Sequence, residues 1–109
     1  MIADADLPSL VAAAGALGFV STKEGFGFAA MEALVAGVPV VARDLPVLRE
    51  VFADAVRYAV DPRTIVAHLG AVLASRPDPS AGQRLAGSFT WDAAAVAHVD
   101  LYHQVLAAR

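Results

Sequence analysis

Apolar positions along the chain fall into short unbroken runs separated by stretches with helical spacing. Leu17 to Val20, Val38 to Ala42 and Arg57 to Val60 are the short runs. Val38 to Ala42 is too continuously apolar to be half exposed, and all three suit strands covered on both faces. The segments around them read as helices. Asp6 followed by Leu7-Pro8 predicts a helix start, with an acceptor at the cap and proline in the first turn. That helix runs to about Ala14, where Gly15 stops it. Phe28 to Ala36 predicts a second helix, with Gly37 placed as its C-terminal cap. Asp44 is expected to cap a short helical turn through Glu50. Asp61-Pro62 opens a helix to about Ala74, and Asp78-Pro79 opens another to about Gly87. Thr90 caps the last, Trp91 to Ala108, whose Val96, Val99, Leu101, Tyr102, Val105 and Leu106 approximate a helical stripe.

Strands that alternate with helices predict an α/β fold with a parallel sheet of the doubly wound kind. Three strands are few, because a complete sheet of this type has about six, built from two halves. The pattern therefore predicts half of a Rossmann-like doubly wound sheet in a single partial domain, residues 1–109. Composition narrows the rest. Apolar residues make up 58% of the chain and charged residues 17%, which excludes a disordered segment. The formal charge is −3, with no basic run, which argues against a nucleic-acid partner. No cysteine is present, so there is no disulfide, zinc–thiolate site or thiol nucleophile. The longest uncharged run, Leu7 to Thr22, contains Pro8, Gly15 and Gly18 and is too short for a transmembrane segment of about 20 residues. It reads as a buried helix followed by a buried strand. No basic leader opens the chain, and a cytoplasmic location is the default expectation.

The segment Glu24-Gly25-Phe26-Gly27-Phe28-Ala29-Ala30-Met31-Glu32 carries most of the chemistry. It follows a strand and opens a helix, so it lies at the carboxyl edge of the sheet, where open α/β folds bind ligands. The glycines let the backbone approach a ligand closely. The helix presents free N–H groups, those of Phe28 and Ala29, at its positive end, which suits a phosphate or diphosphate. Glu32 lies four residues after Phe28, about 6 Å along the helix axis. A carboxylate there can accept two hydrogen bonds from a vicinal diol such as ribose. Glu24 lies on the other side of the phosphate position and can meet hydroxyls of whatever the diphosphate carries. Glycines also serve ordinary strand–helix connections, and a lone Glu on an Ala-rich helix can be a solvated face. All three glutamates, at 24, 32 and 50, nevertheless fall in this region.

Glu24 and Glu32 with Gly25-Phe26-Gly27 between them resemble the E-x7-E element of retaining GT-B glycosyltransferases of group 1 (family 4). The similarity continues in register. Leu7-Pro8-Ser9-Leu10 resembles the family's helix before the site, and Ala36-Gly37-Val38-Pro39-Val40-Val41 its glycine–proline–valine stretch. Glu50-Val51, Val60-Asp61-Pro62, Phe89-Thr90-Trp91 and Tyr102 resemble downstream landmarks, so the match runs from about residue 4 to 106. The resemblance implies the C-terminal part of a GT-B donor-binding domain, with the acceptor-binding domain and the first half of the donor domain absent. It implies transfer of a hexosyl group from a nucleotide-diphosphate sugar to a hydroxyl acceptor, with retention of anomeric configuration. Glu24 would be the catalytic residue, supporting charge near the anomeric carbon. The N–H groups of Gly25, Phe26 and Gly27 would face sugar hydroxyls, those of Phe28 and Ala29 would hold the diphosphate, and Glu32 would hold ribose. No cofactor and no metal are implied. The family's proline before the loop serine is Val20 here, and Lys23 and Arg43 are the only nearby cations.

The remaining polar residues have plainer readings. His68 suits surface or packing, and His98 and His103 are five apart, off the i, i+4 metal-binding face. Trp91 and Tyr102 are expected to pack, Glu50 to hold the neighbouring loop, and Arg49, Arg57 and Arg84 to be ordinary surface charges. A competing reading is a truncated, inactive remnant that binds a partner or its own copy through an exposed half-sheet edge. A third is a small stand-alone nucleotide or phosphate binder that uses the helix end alone. Peripheral membrane association of a longer relative stays open, as do the donor nucleotide, the sugar and the acceptor.

Overall fold

The computed structural model describes residues 1–109. Three parallel strands form one sheet: β1 (Leu17–Phe19), β2 (Val40–Arg43) and β3 (Arg57–Ala59), in that spatial order. Leu17 pairs with Val40 and Phe19 with Ala42, while Val41 pairs with Arg57 and Arg43 with Ala59. Six helices accompany them: α1 (Leu7–Ala13), α2 (Phe28–Val35), α3 (Pro46–Phe52), α4 (Pro62–Ser75), α5 (Ser80–Ser88) and α6 (Trp91–Ala107). This is the Rossmann-like half-sheet that the strand–helix alternation predicts.

Side-chain alternation along β2 builds two cores. Val40 and Ala42 join Met31 and Leu34 of α2, Leu48 and Phe52 of α3, and Ala86 of α5. Val41 points the other way, to Ala59 and to Val72 of α4. A central strand buried on both faces is the reason its sequence is almost wholly apolar. Full burial of such a side chain contributes about 1.5–3 kcal/mol. The central strand thus carries the fold, and the two outer strands contribute one face or less.

Several chain signals act as their chemistry suggests. Asp61 accepts from the Thr64 N–H at 2.8 Å, and the Thr64 hydroxyl accepts from the Asp61 N–H at 3.1 Å, a reciprocal cap on α4. Thr90 caps α6 through the Ala93 N–H at 3.1 Å. Gly37, at φ +78, ends α2, and the N–H groups of Gly37 and Val38 return to the carbonyls of Leu34 and Ala33. That second bond explains why β2 begins at Val40 and not at Val38: the Val38 N–H is spent on the helix, and Pro39 has none to give.

Other expectations are corrected. Asp6 sits in a short 3-10 turn (Asp4–Asp6) with helical angles and caps nothing. Leu45, not Asp44, holds the cap position of α3, because Arg49 takes the Asp44 carboxylate. Asp78 lies one residue before the cap position of α5 and accepts from the Ser80 N–H and hydroxyl. β1 is an edge strand, so it is half-buried and α1 is exposed; neither is the buried element its apolar run suggests. The stripe on α6 is exposed too, with Trp91 at 88% and Tyr102 at 60%, so neither aromatic packs in a core. Glu50 is exposed and makes no hydrogen bond, so it does not tie down the neighbouring loop.

Candidate functional site

The connection from β1 to α2 reaches the carboxyl edge of the sheet, and its backbone makes the turn at Gly27. Gly27 has φ +98 and ψ +50, a left-handed conformation that a side chain resists. It is also pressed onto α3: a Cβ added there would lie 3.0 Å from Phe52 Cε2 and 3.2 Å from Leu48 Cδ2. The second glycine of the loop is therefore required twice, by its dihedral and by its floor.

Phe26 secures the loop from the other side. Its ring lies 5.0 Å from that of Phe28 and 5.3 Å, edge-on, from that of Phe89. These separations are those of favourable aromatic pairs. With the side chain anchored, the backbone of Gly25, Phe26 and Gly27 borders an open crevice of about 460 Å³. Phe19, Glu24, Phe28 and Ala29 complete its lining.

The start of α2 opens into that crevice. Met31 makes the first helical hydrogen bond, to the Gly27 carbonyl at 3.1 Å, and no side chain caps the helix. The Phe28 and Ala29 N–H groups precede that bond and carry the partial positive charge of a helix N-terminus. An anion in the crevice would meet these donors and the field of the helix together.

Six of the seven expected residues, Glu24, Gly25, Phe26, Gly27, Phe28 and Ala29, line this one crevice. Glu32 is exposed one turn further along α2 and lies outside it. It borders an apolar groove of about 860 Å³ with Phe26, Phe28, Phe89 and Trp91, and a smaller one of about 400 Å³ with Asp4, Leu7 and Val11. Phe26 and Phe28 line both the crevice and the larger groove, so the two carboxylates flank a shared aromatic wall. Neither Lys23 nor Arg43 lines the crevice. Arg43 instead donates from Nε to the Val20 carbonyl at 3.3 Å, joining the end of β2 to the root of the loop.

The floor of the site was not anticipated from sequence. Leu48 and Phe52, four residues apart on α3, are fully buried under Gly27. Their i, i+4 spacing was the available signal. Arg49 is also more than a surface charge. It meets Asp44 through two hydrogen bonds, Nε to Oδ1 at 2.6 Å and Nη2 to Oδ2 at 2.8 Å. Its guanidinium lies 4.2 Å from the centre of the Tyr58 ring. The hydrogen bond from Arg49 holds the Asp44 carboxyl below the usual range, and the same bond raises Arg49. Burial pushes the Tyr58 phenol up. A separate depression of about 200 Å³, bordered by Pro39, Asp54, Arg57 and Asp78, lies away from the glycine loop.

Parallel strands flanked by helices, with a glycine loop and an uncapped helix start at the carboxyl edge, define a Rossmann-like α/β module. Within that class, residues 2–81 match the family model of glycosyl transferases group 1, and the chain belongs to that family. It is 35% identical over 108 residues to O-antigen chain mannosyltransferase B of Escherichia coli, across 93% of this chain and 28% of that protein. It is 40% identical over 100 residues to a D-inositol 3-phosphate glycosyltransferase of Xylanimonas cellulosilytica, across 84% of this chain and 24% of that protein. A D-inositol 3-phosphate glycosyltransferase of Geodermatophilus obscurus is 42% identical over 77 residues, across 66% of this chain and 17% of that protein. The chain thus spans 28%, 24% and 17% of the length of these relatives. No helix is long and apolar enough to cross a membrane.

Proposed function

We propose that residues 24–32 form the donor half of a glycosyl-transfer site that takes a nucleotide-diphosphate sugar. The observation that carries this reading is the open crevice shared by Glu24, the glycine loop and the uncapped N–H groups of α2. In the reaction, the bond between the anomeric carbon and the diphosphate oxygen breaks and negative charge grows on the diphosphate. The Phe28 and Ala29 N–H groups, fixed before the reaction, stabilise that charge without reorganising. Glu24 lies at the sugar end, where its carboxylate supports positive charge near the anomeric carbon. The N–H groups of Gly25, Phe26 and Gly27 address sugar hydroxyls. Glu32, one helical turn away, accepts from the ribose diol. The acceptor oxygen bonds to the anomeric carbon with retention of configuration, its proton passes to the departing diphosphate oxygen, and the nucleoside diphosphate leaves. The relatives' names point to mannosyl transfer and to an inositol phosphate acceptor, both consistent with a hexosyl donor and a hydroxyl acceptor.

Equilibrium dialysis of the chain against a nucleoside diphosphate tests the assignment. Millimolar or tighter binding is expected, weakened at least tenfold (about 1.4 kcal/mol) by Glu32→Ala. Glu24→Ala is expected to leave nucleoside-diphosphate binding intact and to weaken binding of the full nucleotide sugar. Equal binding by all three forms contradicts the roles given to the two acids.

A second reading is favoured by one observation, the extent of exposed apolar side chains on α1 and α6 in a chain whose β1 is an edge strand. On this reading the chain acts by association, through the unpaired strand edge, and carries no transfer activity of its own.

A further inference from the structure

We infer that Asp44, Arg49 and Tyr58 are positioning residues that set the seat of the glycine loop through α3. This rests on the donor-site reading for its functional meaning, while the structural linkage stands on its own contacts. α3 is only seven residues long, too short to hold its own shape without external contacts. Its inner face, Leu48 and Phe52, is the surface over which Gly27 lies so closely that a Cβ there would meet Phe52 Cε2 at 3.0 Å. Any tilt of α3 therefore moves the backbone that borders the crevice.

One flank of α3 is strapped to the sheet by a continuous polar chain. Asp44 follows β2 directly, and its N–H donates to the Ala59 carbonyl of β3 at 3.0 Å. Its carboxylate holds Arg49 by two parallel hydrogen bonds, which fix direction as well as distance. Arg49 lies over the Tyr58 ring. The Tyr58 hydroxyl lies 2.7 Å from the carbonyl of Ala53, which ends α3, and 3.1 Å from the carbonyl of Leu48 within it. Having one hydrogen, it donates to one of them at a time or shares it between both. An exposed ion pair contributes little to stability by itself. The value of this one lies in geometry: it and the phenol tie α3 to the segments that carry β2 and β3.

The test compares wild type, Tyr58→Phe, Arg49→Met and Val72→Ala by amide NMR, thermal melting and nucleoside-diphosphate affinity. Val72 is buried in the other core, with Val41 and Ala59 and apart from Leu48 and Phe52, so its truncation supplies a stability loss that leaves the inner face of α3 in place. Tyr58→Phe and Arg49→Met are expected to shift or broaden the Phe26, Gly27 and Phe28 amide resonances and to weaken nucleoside-diphosphate binding several-fold. Val72→Ala is expected to lower the melting temperature while leaving both readouts unchanged. Undisturbed loop resonances in Tyr58→Phe and Arg49→Met, or an equal disturbance in Val72→Ala, overturn the inference. Should Arg49→Met fail to fold, Tyr58→Phe decides, since it removes one oxygen and keeps the ring. Absence of binding by wild type refutes the donor-site reading alone, and the loop resonances then decide the positioning role.

Discussion

Ala53 has φ +45 and ψ −121, angles suited to glycine, in the turn that leaves α3. The Tyr58 hydroxyl, 2.7 Å from its carbonyl, holds the turn in place. Such a conformation costs a non-glycine residue about 1–3 kcal/mol, while glycine adds less than about 1 kcal/mol of unfolded-state entropy. Ala53→Gly is therefore expected to stabilise the chain by about 1 kcal/mol in denaturant unfolding. No gain in the unfolding midpoint contradicts this. Gly27 presents the opposite case. Its φ of +98 and the Phe52 ring beneath it mean that Gly27→Ala strains the backbone and pushes on the floor together. The need for glycine at Gly27 was legible in the sequence, because the residue stands between a strand and a helix at the carboxyl edge of the sheet. The strain at Ala53 was not, because nothing in an Ala-Asp-Ala stretch signals a left-handed turn.

Helix ends show which elements the chain specifies locally. Asp61 and Thr90 cap as their sequence context indicates, since each precedes a helix with an acceptor and extended backbone. Asp44 does not, because Arg49, five residues on, competes for its carboxylate. That outcome depends on tertiary proximity and could not be read from local pattern. The same holds for α1 and α6: periodicity announces an apolar face but not whether anything covers it. The capping carboxylates have a pH consequence. Backbone and hydroxyl hydrogen bonds from Thr64 hold Asp61 below its ordinary value of 3.8, and Ser80 does the same for Asp78. The unfolded chain therefore takes up these protons first. The stabilisation is present above about pH 4 and is lost as the pH falls through the lowered folded values. Asparagine can still accept at a cap but cannot titrate. Asp61→Asn is thus expected to melt close to wild type at neutral pH and to lose less of its melting temperature on acidification to pH 3. An unchanged acid dependence contradicts this origin.

The whole molecule is larger than its length requires. Its radius of gyration is 16.2 Å, against about 13 Å for a compact chain of this length. Its accessible surface is 7561 Å², against roughly 5,700 Å² expected for a globular protein of this mass. The excess, roughly 1,900 Å² on one chain, is about twice what each partner buries in a standard protein interface. Much of it is apolar: Leu7 and Leu10 on α1, and Trp91, Val96, Leu101 and Leu106 on α6 are all exposed. The chain is expected to self-associate, and light scattering should give a mass above 11.2 kDa that rises with concentration. A monomer that melts cooperatively at all concentrations contradicts this. The most direct measurement of the donor-site account is an amide NMR titration of the chain with a nucleoside diphosphate. Saturating shifts confined to Gly25 through Ala29 and to Glu32, at millimolar concentration or below, are expected. Shifts that cluster elsewhere, or none at saturating ligand, would show that the loop between the two acids is not a phosphate-binding site.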